Sequence, residues 1–442
     1  MRTFSSSWNN AHPRSDHACG RPDQNCSPRA RGKSGTQTSP FPLCLIVSVN
    51  FRGCQELAGS SKPDYNGACI SRLIPALLHH LETVGTGIKL SSSAAKRSSK
   101  PTPGSLPAWM PQLIESVRQV VVLVVDGLGW EQLTDRAHLT PGLNAMQGGA
   151  ITTVAPTTTA TALTSMTTGL APAQHGVLGY RLRLRERDVL NVLRWEVGDR
   201  PERLEPSSLQ TAEAFIGRDI PVITRHEYVA SKFSEVCMRG SRKVGYGATS
   251  RVPVEVREFL NQGAPLVFVY YDRLDTVAHA RGLGGDYDAE ICVVDGLVSS
   301  LVDCLVPGSG LIVTSDHGQV QIDTPPIVLD VNVSSTVAFM SGEGRFRWLH
   351  CQGGAESATL DAARDIYGGV AWVRERGQLI DDGWFGGGMT AAYAKRLGDV
   401  AILCHAPVSI HDPAEVGSSA LRCRHGSVTS AEMLVPLLAQ SR

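Results

Sequence analysis

Three stretches of the chain are continuously apolar and β-branched: QVVVLVVDG at 119–127, PLVFVYYDRLD at 265–275 and GLIVTSDHG at 310–318. None alternates apolar with polar residues, as a strand with one wet face does, so they predict strands buried on both faces of a parallel sheet. Helical segments separate them, the order expected of an α/β fold with helices covering the sheet. Upstream, ISRLIPALLHHLETV carries apolar residues at helical spacing and predicts the first packed helix. Residues 1–60, rich in Ser, Pro, Arg, Gly and Asn, show neither period and predict a disordered basic extension. LSSSAAKRSSKPTPGSLPAW reads as a linker or loop. Between Asp330 and about residue 405, the short alternations RFRWLH, GGVAWV and DVAILCH enclose a helical stretch around Ala358 to Ile366. This predicts a small α+β insertion at about 330–405, within one domain spanning 61–442. No internal repeat appears at solenoid periods.

Charge and cysteine usage narrow the class only a little. Lys+Arg and Asp+Glu balance at 42 each, which supplies no bulk case for a nucleic-acid platform or an anionic membrane. The balance is uneven along the chain, however. Residues 1–100 hold thirteen Lys/Arg against five Asp/Glu, so the remainder, with 29 against 37, is net acidic and suits a protein that collects cations. Eleven cysteines without a CxxC pair point to a reduced, cytoplasmic setting. The apolar run PLCLIVSV is too short to span a bilayer, and NFRGC after it lacks the small residues of a cleavage site. No membrane span is predicted, and nothing in the pattern specifies an oligomeric state.

The candidate chemistry lies where the apolar runs stop, because each ends in acidic residues. In open α/β sheets the ligand site lies beyond the carboxyl ends of the strands, so Asp126, Asp275 and Asp316 are predicted to meet at one rim. Asp275 and His279 stand four residues apart, on one helical face. Asp316 and His317 are adjacent at a strand end, and His425 in RCRHGSVT adds a third imidazole. Three carboxylates and three imidazoles form a donor set that zinc and similar divalent ions prefer. Singly, each element is commonplace, since a DG after a strand is more often a turn and a DxxxH more often a solvated helix pair. It is their order after three buried strands that points to a site. VAPTTTATALTSMTTG, residues 154–169, adds seven threonines and a serine in sixteen positions. Such a run usually makes a strand face or a loop. The alternative is a nucleophilic hydroxyl at a helix start, which needs an activator.

VVDGLGW, PTTTATALTSMTTGLAPAQHGVLGY, DRLDTVAHARG, TSDHG and the late RHGS, in that order, resemble the alkaline phosphatase superfamily and, within it, the nucleotide pyrophosphatase/phosphodiesterase branch. The resemblance covers roughly residues 62–442. It implies a three-layer α/β sandwich with a mostly parallel central sheet, two divalent ions (most readily Zn²⁺), and a threonine nucleophile acting on a phosphodiester, nucleotide or pyrophosphate. Carried over by residue, one metal takes Asp126, Thr159, Asp316 and His317, and the other takes Asp275, His279 and His425. Thr159 stands three residues after Pro156 and ten before Gly169, the family's spacing for the nucleophile. Thr157, Thr158 and Thr161 are then read as caps and packing residues. His175 matches a family histidine that is not a ligand, and Asp272 is expected beside the site. One departure is that the branch usually has an Asn three residues after the nucleophile, expected to donate to a phosphoryl oxygen, where this chain has Ala162.

Among the alternatives, a sulfatase needs a CxPxR-type nucleophile segment, yet no cysteine occurs between residues 70 and 236. A phosphomutase of the superfamily usually uses Ser. A phosphomonoesterase is the closer rival, for which Arg181, Arg183 or Arg281 could serve the extra charge. A catalytically silent metal-binding scaffold would have little need of the full ligand set. Specificity is expected in RLRLRERDVLNVLRWEVGD and in DDGWFGGG, with Tyr180, Trp195 or Trp384 available to stack. His226 and His411 are taken as ordinary surface histidines.

Overall fold

Along the strand Gln119–Val125, side chains divide between two cores. Val120, Val122 and Val124 enter one, with the helix Ile70–Thr83 and Leu163 and Met166 of the helix Thr159–Thr168. Val121, Leu123 and Val125 enter the other, with residues of the helices Arg251–Asn261 and Gly285–Cys304. Since successive strand residues face opposite sides, a run apolar at every position must be covered on both. The result is the three-layer α/β sandwich implied by the resemblance, here in a computed structural model that describes residues 57–84, 106–415 and 420–442.

The central sheet has seven strands, in the order Gln147–Thr152, Leu434–Ser441, Ser309–Thr314, Gln119–Val125, Leu266–Tyr271, Pro221–Arg225 and Arg242–Tyr246. From Ser309–Thr314 to Arg242–Tyr246 all neighbours are parallel, and Leu434–Ser441 runs antiparallel to both of its partners. Register matters for the site. Val124 pairs with Thr314 and Val125 with Tyr271, so the strands end level and their next residues emerge together.

The predicted first helix forms as Ile70–Thr83, burying Ile70, Leu73, Ile74, Leu77, Leu78 and Leu81. Within the predicted insertion, Val337–Gly342, Phe346–Cys351, Val400–Cys404 and Ala371–Glu375 form an antiparallel sheet covered by the helix Glu356–Tyr367. Arg181–Arg185, Asp188–Asn191, Glu196–Val197 and Arg200–Pro201 make a separate meander.

The expected N-terminal extension lies outside the described residues except for its last four. Of those four, Leu57 is buried and Ser60 bridges to Thr429, while Ala58 and Gly59 are exposed. The linker segment likewise lies largely outside them. Among the described residues no helix is long and apolar enough to cross a membrane, and the seven cysteines there are free.

Candidate active site

Asp126, Asp275 and Asp316 do converge, although the strand before Asp275 ends at Tyr271 and Asp275 itself stands in the first turn of the following helix. Asp126 follows its strand directly, and the turn after it needs Gly127, whose φ is +75° and where a Cβ would lie 3.0 Å from the Asp275 Cβ. Asp316 and His317 follow Thr314 by two and three residues. Asp275 and His279 lie on the helix Arg273–Arg281, which begins after the strand Leu266–Tyr271. Thr159 is the first residue of its helix, and Gly169 in the left-handed conformation ends that helix. His425 follows Cys423–Arg424, a short strand paired with Val320–Gln321.

The structure groups the predicted residues around His317. Its Nε2 lies 3.1 Å from Thr159 Oγ1, 3.4 Å from Asp126 Oδ1 and 3.6 Å from Asp316 Oδ2. Asp275 Oδ1 lies 3.3 Å from His279 Nε2 and 3.9 Å from His425 Nε2. Donor atoms of Asp126, Asp316 and His317 fall within 4.8 Å of one another, as do those of Asp275, His317 and His425. The tight second trio therefore includes His317 rather than His279, whose ring stands 5.2 Å from that of His425.

Hydrogen bonding prepares these groups to bind cations. His279 Nδ1 donates to the Cys423 carbonyl at 2.7 Å, His425 Nδ1 to that of Thr157 at 2.7 Å, and His317 Nδ1 to that of Gly318 at 3.1 Å. A ring that donates through Nδ1 keeps its lone pair on Nε2, and all three Nε2 atoms face the site. Asp316 Oδ1 accepts from the backbone N–H groups of Gly127 and His317, and among the described residues neither Asp316 Oδ2 nor Asp126 Oδ1, both buried, has a hydrogen-bond donor. Buried carboxylate oxygens of this kind fit a bound cation, because nothing else compensates them. Burial and then the charges of Asp316 and Asp275 push the Asp126 carboxyl well above the usual range. Burial and then His317 and His279 hold His425 well below the usual imidazole range, in the neutral form a metal requires. These residues fit a pair of divalent ions.

Several supporting residues carry no sequence signal. Tyr270 donates to Asp126 Oδ2, Gln319 to Asp275 Oδ1, and Thr153 to the Asp316 carbonyl. A tyrosine inside a buried strand looks like core, and only the register shows its hydroxyl reaching the rim. Asp272 accepts from Tyr228 at 2.7 Å and from Arg225 at 3.0 Å, beside the site as expected. His175 is buried with Ser165 Oγ at 2.8 Å and is not among the converging groups.

Ala162 is buried and packs in the apolar core with Leu163 and Met166 of the same helix. Thr158 occupies the N-cap position, though without a side-chain capping bond, and Thr161 is a buried packing residue; Thr157 accepts from Gly426 N and donates to the Ser427 carbonyl. Other expectations need correction. Trp195 and Trp384 are core residues. Arg181 is buried against Asp412 at 2.6 Å, Arg183 stands over Phe339, and Arg281 is exposed, 3.7 Å from Asp286.

A cleft of about 1500 Å³ opens over Thr159, Asp275, His279 and His425. The meander forms one wall and Val337–Met340 of the insertion another. RLRLRERDVLNVLRWEVGD thus borders the cleft as expected. DDGWFGGG does not, because Trp384 and Phe385 fill the core beneath the insertion.

The sequence model of the type I phosphodiesterase/nucleotide pyrophosphatase family matches residues 120–427. Comparison with curated proteins finds no match. By fold, the chain is similar to murine ectonucleotide pyrophosphatase/phosphodiesterase 5, with a TM-score of 0.56 and 18% identity over 73% of this chain and 88% of that one. An inactive threonine-to-alanine variant of the murine protein, in complex with AMP, gives 0.55 and 18% over the same shares. Phosphonoacetate hydrolase from Sinorhizobium meliloti 1021, in complex with phosphonoacetate, gives 0.54 and 16% over 74% of this chain and 91% of that one.

Proposed function

Because the chain belongs to the type I phosphodiesterase/nucleotide pyrophosphatase family of metal-dependent hydrolases, we propose that it cleaves phosphodiester or pyrophosphate bonds with Thr159 as nucleophile and two metal ions, most readily zinc. The observation that carries this reading is the position of Thr159 Oγ1. It stands at a helix N-terminus, 3.1 Å from His317 Nε2, in the group that includes the unpartnered oxygens of Asp126 and Asp316. The murine neighbour, inactive as a threonine-to-alanine variant, supports a threonine in this role. Neighbours complexed with AMP and phosphonoacetate support a small phosphorus-containing substrate.

Asp126, Thr159, Asp316 and His317 would hold one ion, and Asp275, His279 and His425 the other. When bound, the ions supply positive charge that lowers the pKa of the threonine hydroxyl and offsets charge on the phosphoryl oxygens. Thr159 Oγ1 then bonds to phosphorus in line as the bond to the leaving oxygen breaks. Water displaces the threonine from the resulting phosphothreonine. The helix N-terminus adds backbone N–H groups and a partial positive charge where the phosphoryl oxygens lie.

Charge counting favours a diester. Four positive charges from two ions are cancelled by Asp126, Asp275, Asp316 and the Thr159 alkoxide, so a singly charged diester suits the site better than a doubly charged monoester. The deciding experiment compares bis-p-nitrophenyl phosphate with p-nitrophenyl phosphate in zinc-loaded protein and in Thr159→Ala. The diester is expected to turn over faster, with the variant at least a thousandfold slower. Faster monoester turnover moves the assignment to a phosphatase, and an active Thr159→Ala removes the nucleophile.

A further inference from the structure

Asp126 and Asp316 divide their two oxygens in the same way. On Asp316, Oδ1 accepts from the backbone N–H groups of Gly127 at 3.2 Å and His317 at 3.0 Å and from Ser315 Oγ at 3.3 Å, while Oδ2 lies 3.6 Å from His317 Nε2. On Asp126, Oδ2 accepts from the Tyr270 hydroxyl, while Oδ1 lies 3.4 Å from the same Nε2. Both oxygens beside His317 are buried, and among the described residues neither has a hydrogen-bond donor.

This part of the site therefore offers four single donor atoms: Asp126 Oδ1, Thr159 Oγ1, Asp316 Oδ2 and His317 Nε2. Four tetrahedral ligands bonded at about 2.0–2.2 Å to one zinc ion stand roughly 3.3–3.6 Å apart. The distances from His317 Nε2 to the other three, 3.1, 3.4 and 3.6 Å, lie close to that spacing. A cation that takes six or more oxygen ligands would call on the second carboxylate oxygens, and those are the ones already occupied.

The two occupied oxygens are not held alike. Backbone N–H groups hold the one on Asp316, and they come with the turns after the strands. Among the described residues, a single side-chain hydroxyl holds the one on Asp126. Tyr270 stands in the strand Leu266–Tyr271, opposite Val124, and its ring is buried in the core with Val122, Val124 and Phe268. A phenylalanine would fill this place, so packing alone does not call for the hydroxyl, and a hydroxyl costs stability in a core unless it is bonded.

We propose that Tyr270 is a positioning residue that keeps Asp126 a one-oxygen ligand, so that the ion beside Thr159 stays four-coordinate and the site prefers zinc to manganese. Asp126 cannot bring Oδ2 onto the ion without giving up the Tyr270 hydrogen bond. Without the hydroxyl, that oxygen is left unpartnered beside the cation, and two-oxygen binding follows. The inference rests on the metal-binding part of the reading above and not on which phosphorus bond is cleaved.

The test loads full-length wild type, Tyr270→Phe and Tyr228→Phe with cobalt(II), whose visible absorption is strong in four-coordinate sites and much weaker in five- or six-coordinate ones. Tyr228 donates to Asp272, so its variant removes a neighbouring hydroxyl without touching a proposed ligand. Expected in Tyr270→Phe are a visible absorption lower by roughly a third or more at equal bound cobalt, and a zinc-over-manganese preference reduced about tenfold in competition dialysis. Tyr228→Phe should match wild type in both. Thermal melting of each variant establishes that it is folded. Wild-type spectrum and preference in folded Tyr270→Phe overturn the proposal, and so does an equal change in Tyr228→Phe, which would make the effect one of packing. None of these readouts involves a substrate. The expected difference between variants, in a wild type that turns over no diester, would retain the role of Tyr270 and reject the diesterase reading instead, whereas a wild type that binds no cobalt would overturn both.

Discussion

The rings of His317 and His425 are stacked, with centroids 3.5 Å apart and planes 14° apart. Two neutral imidazoles tolerate this contact, but two imidazolium rings would not. Each ring is anchored through Nδ1 to a backbone carbonyl, so the pair presents two Nε2 lone pairs side by side. Changing His425 to Ala is expected to remove one of two zinc equivalents by elemental analysis and to abolish turnover. Retention of both equivalents after dialysis would exclude His425 as a ligand. Chelation of the wild type should lower its melting temperature by about 5 °C, since the ions bind only the folded donor set.

Glu432 ties the insertion to the same loop. Its carboxylate accepts from Arg345 Nε and Nη2, both at 2.8 Å, with both side chains fully buried, and also from the backbone N–H of Ser427 and the Thr429 hydroxyl. Removing one partner leaves a buried charge uncompensated, at a cost of about 3–5 kcal/mol. Glu432→Gln should therefore lower the urea midpoint strongly and weaken zinc retention through the His425 loop. A paired Arg345→Met/Glu432→Leu variant should recover part of the stability, because it removes both charges but leaves the Ser427 N–H, the Thr429 hydroxyl and the carbonyls of Cys404, Ala406 and Val408 without these partners; equal loss in both would show that the charge itself is not the cost.

Residues 119–127, 265–275 and 310–318 were legible because burial on both faces leaves no polar position in a strand, and because the ligands follow where the apolar run must end. The support around them was not. Tyr270, Gln319 and Glu432 act across 44 to 144 positions of sequence, as in Tyr270 to Asp126, Gln319 to Asp275 and Arg345 to Glu432, and no local period marks such pairs. Ala162 is a related case. Residues three apart on a helix lie near one another, but which flank turns inward is decided by the sheet beneath it, and here position 162 faces the core. The meander at Arg181–Pro201 stayed unread because its strands are short and half exposed, with charges where alternation would otherwise show.

Acid should destabilise the fold through two buried histidines away from the metal cluster. His175 and His350 are each lowered to about 3, chiefly by burial. Below the unfolded value near 6.5 the unfolded chain binds a proton that the folded ring refuses, so stability is full above that pH and falls as pH drops. Between pH 6.5 and 4.5 each ring accounts for up to about 2–3 kcal/mol. Urea midpoints should fall over this window, and His350→Gln should flatten the dependence. An unchanged slope in that variant would show that His350 takes up its proton without cost.

The chain before Leu57 is expected to be dispensable, and the boundary is sharp. Leu57 is 2% exposed and packs with Phe346, Trp384, Phe385 and Val428, while Ser61 N–H donates to the Val428 carbonyl at 2.9 Å. Val428 and Thr429 lie three and four residues beyond His425, so this short segment braces the loop that delivers a proposed ligand. A chain starting at Leu57 should melt and turn over as the full chain does. One starting at Lys62 loses the burial of Leu57, about 2–3 kcal/mol, and the bridge from Ser60 to Thr429. It should melt several degrees lower and lose the zinc equivalent held by His425 more readily on dialysis. Identical melting of the two truncated chains would show that Leu57 fills its pocket without bracing the loop, and reduced activity in the longer one would give the basic extension a part in function.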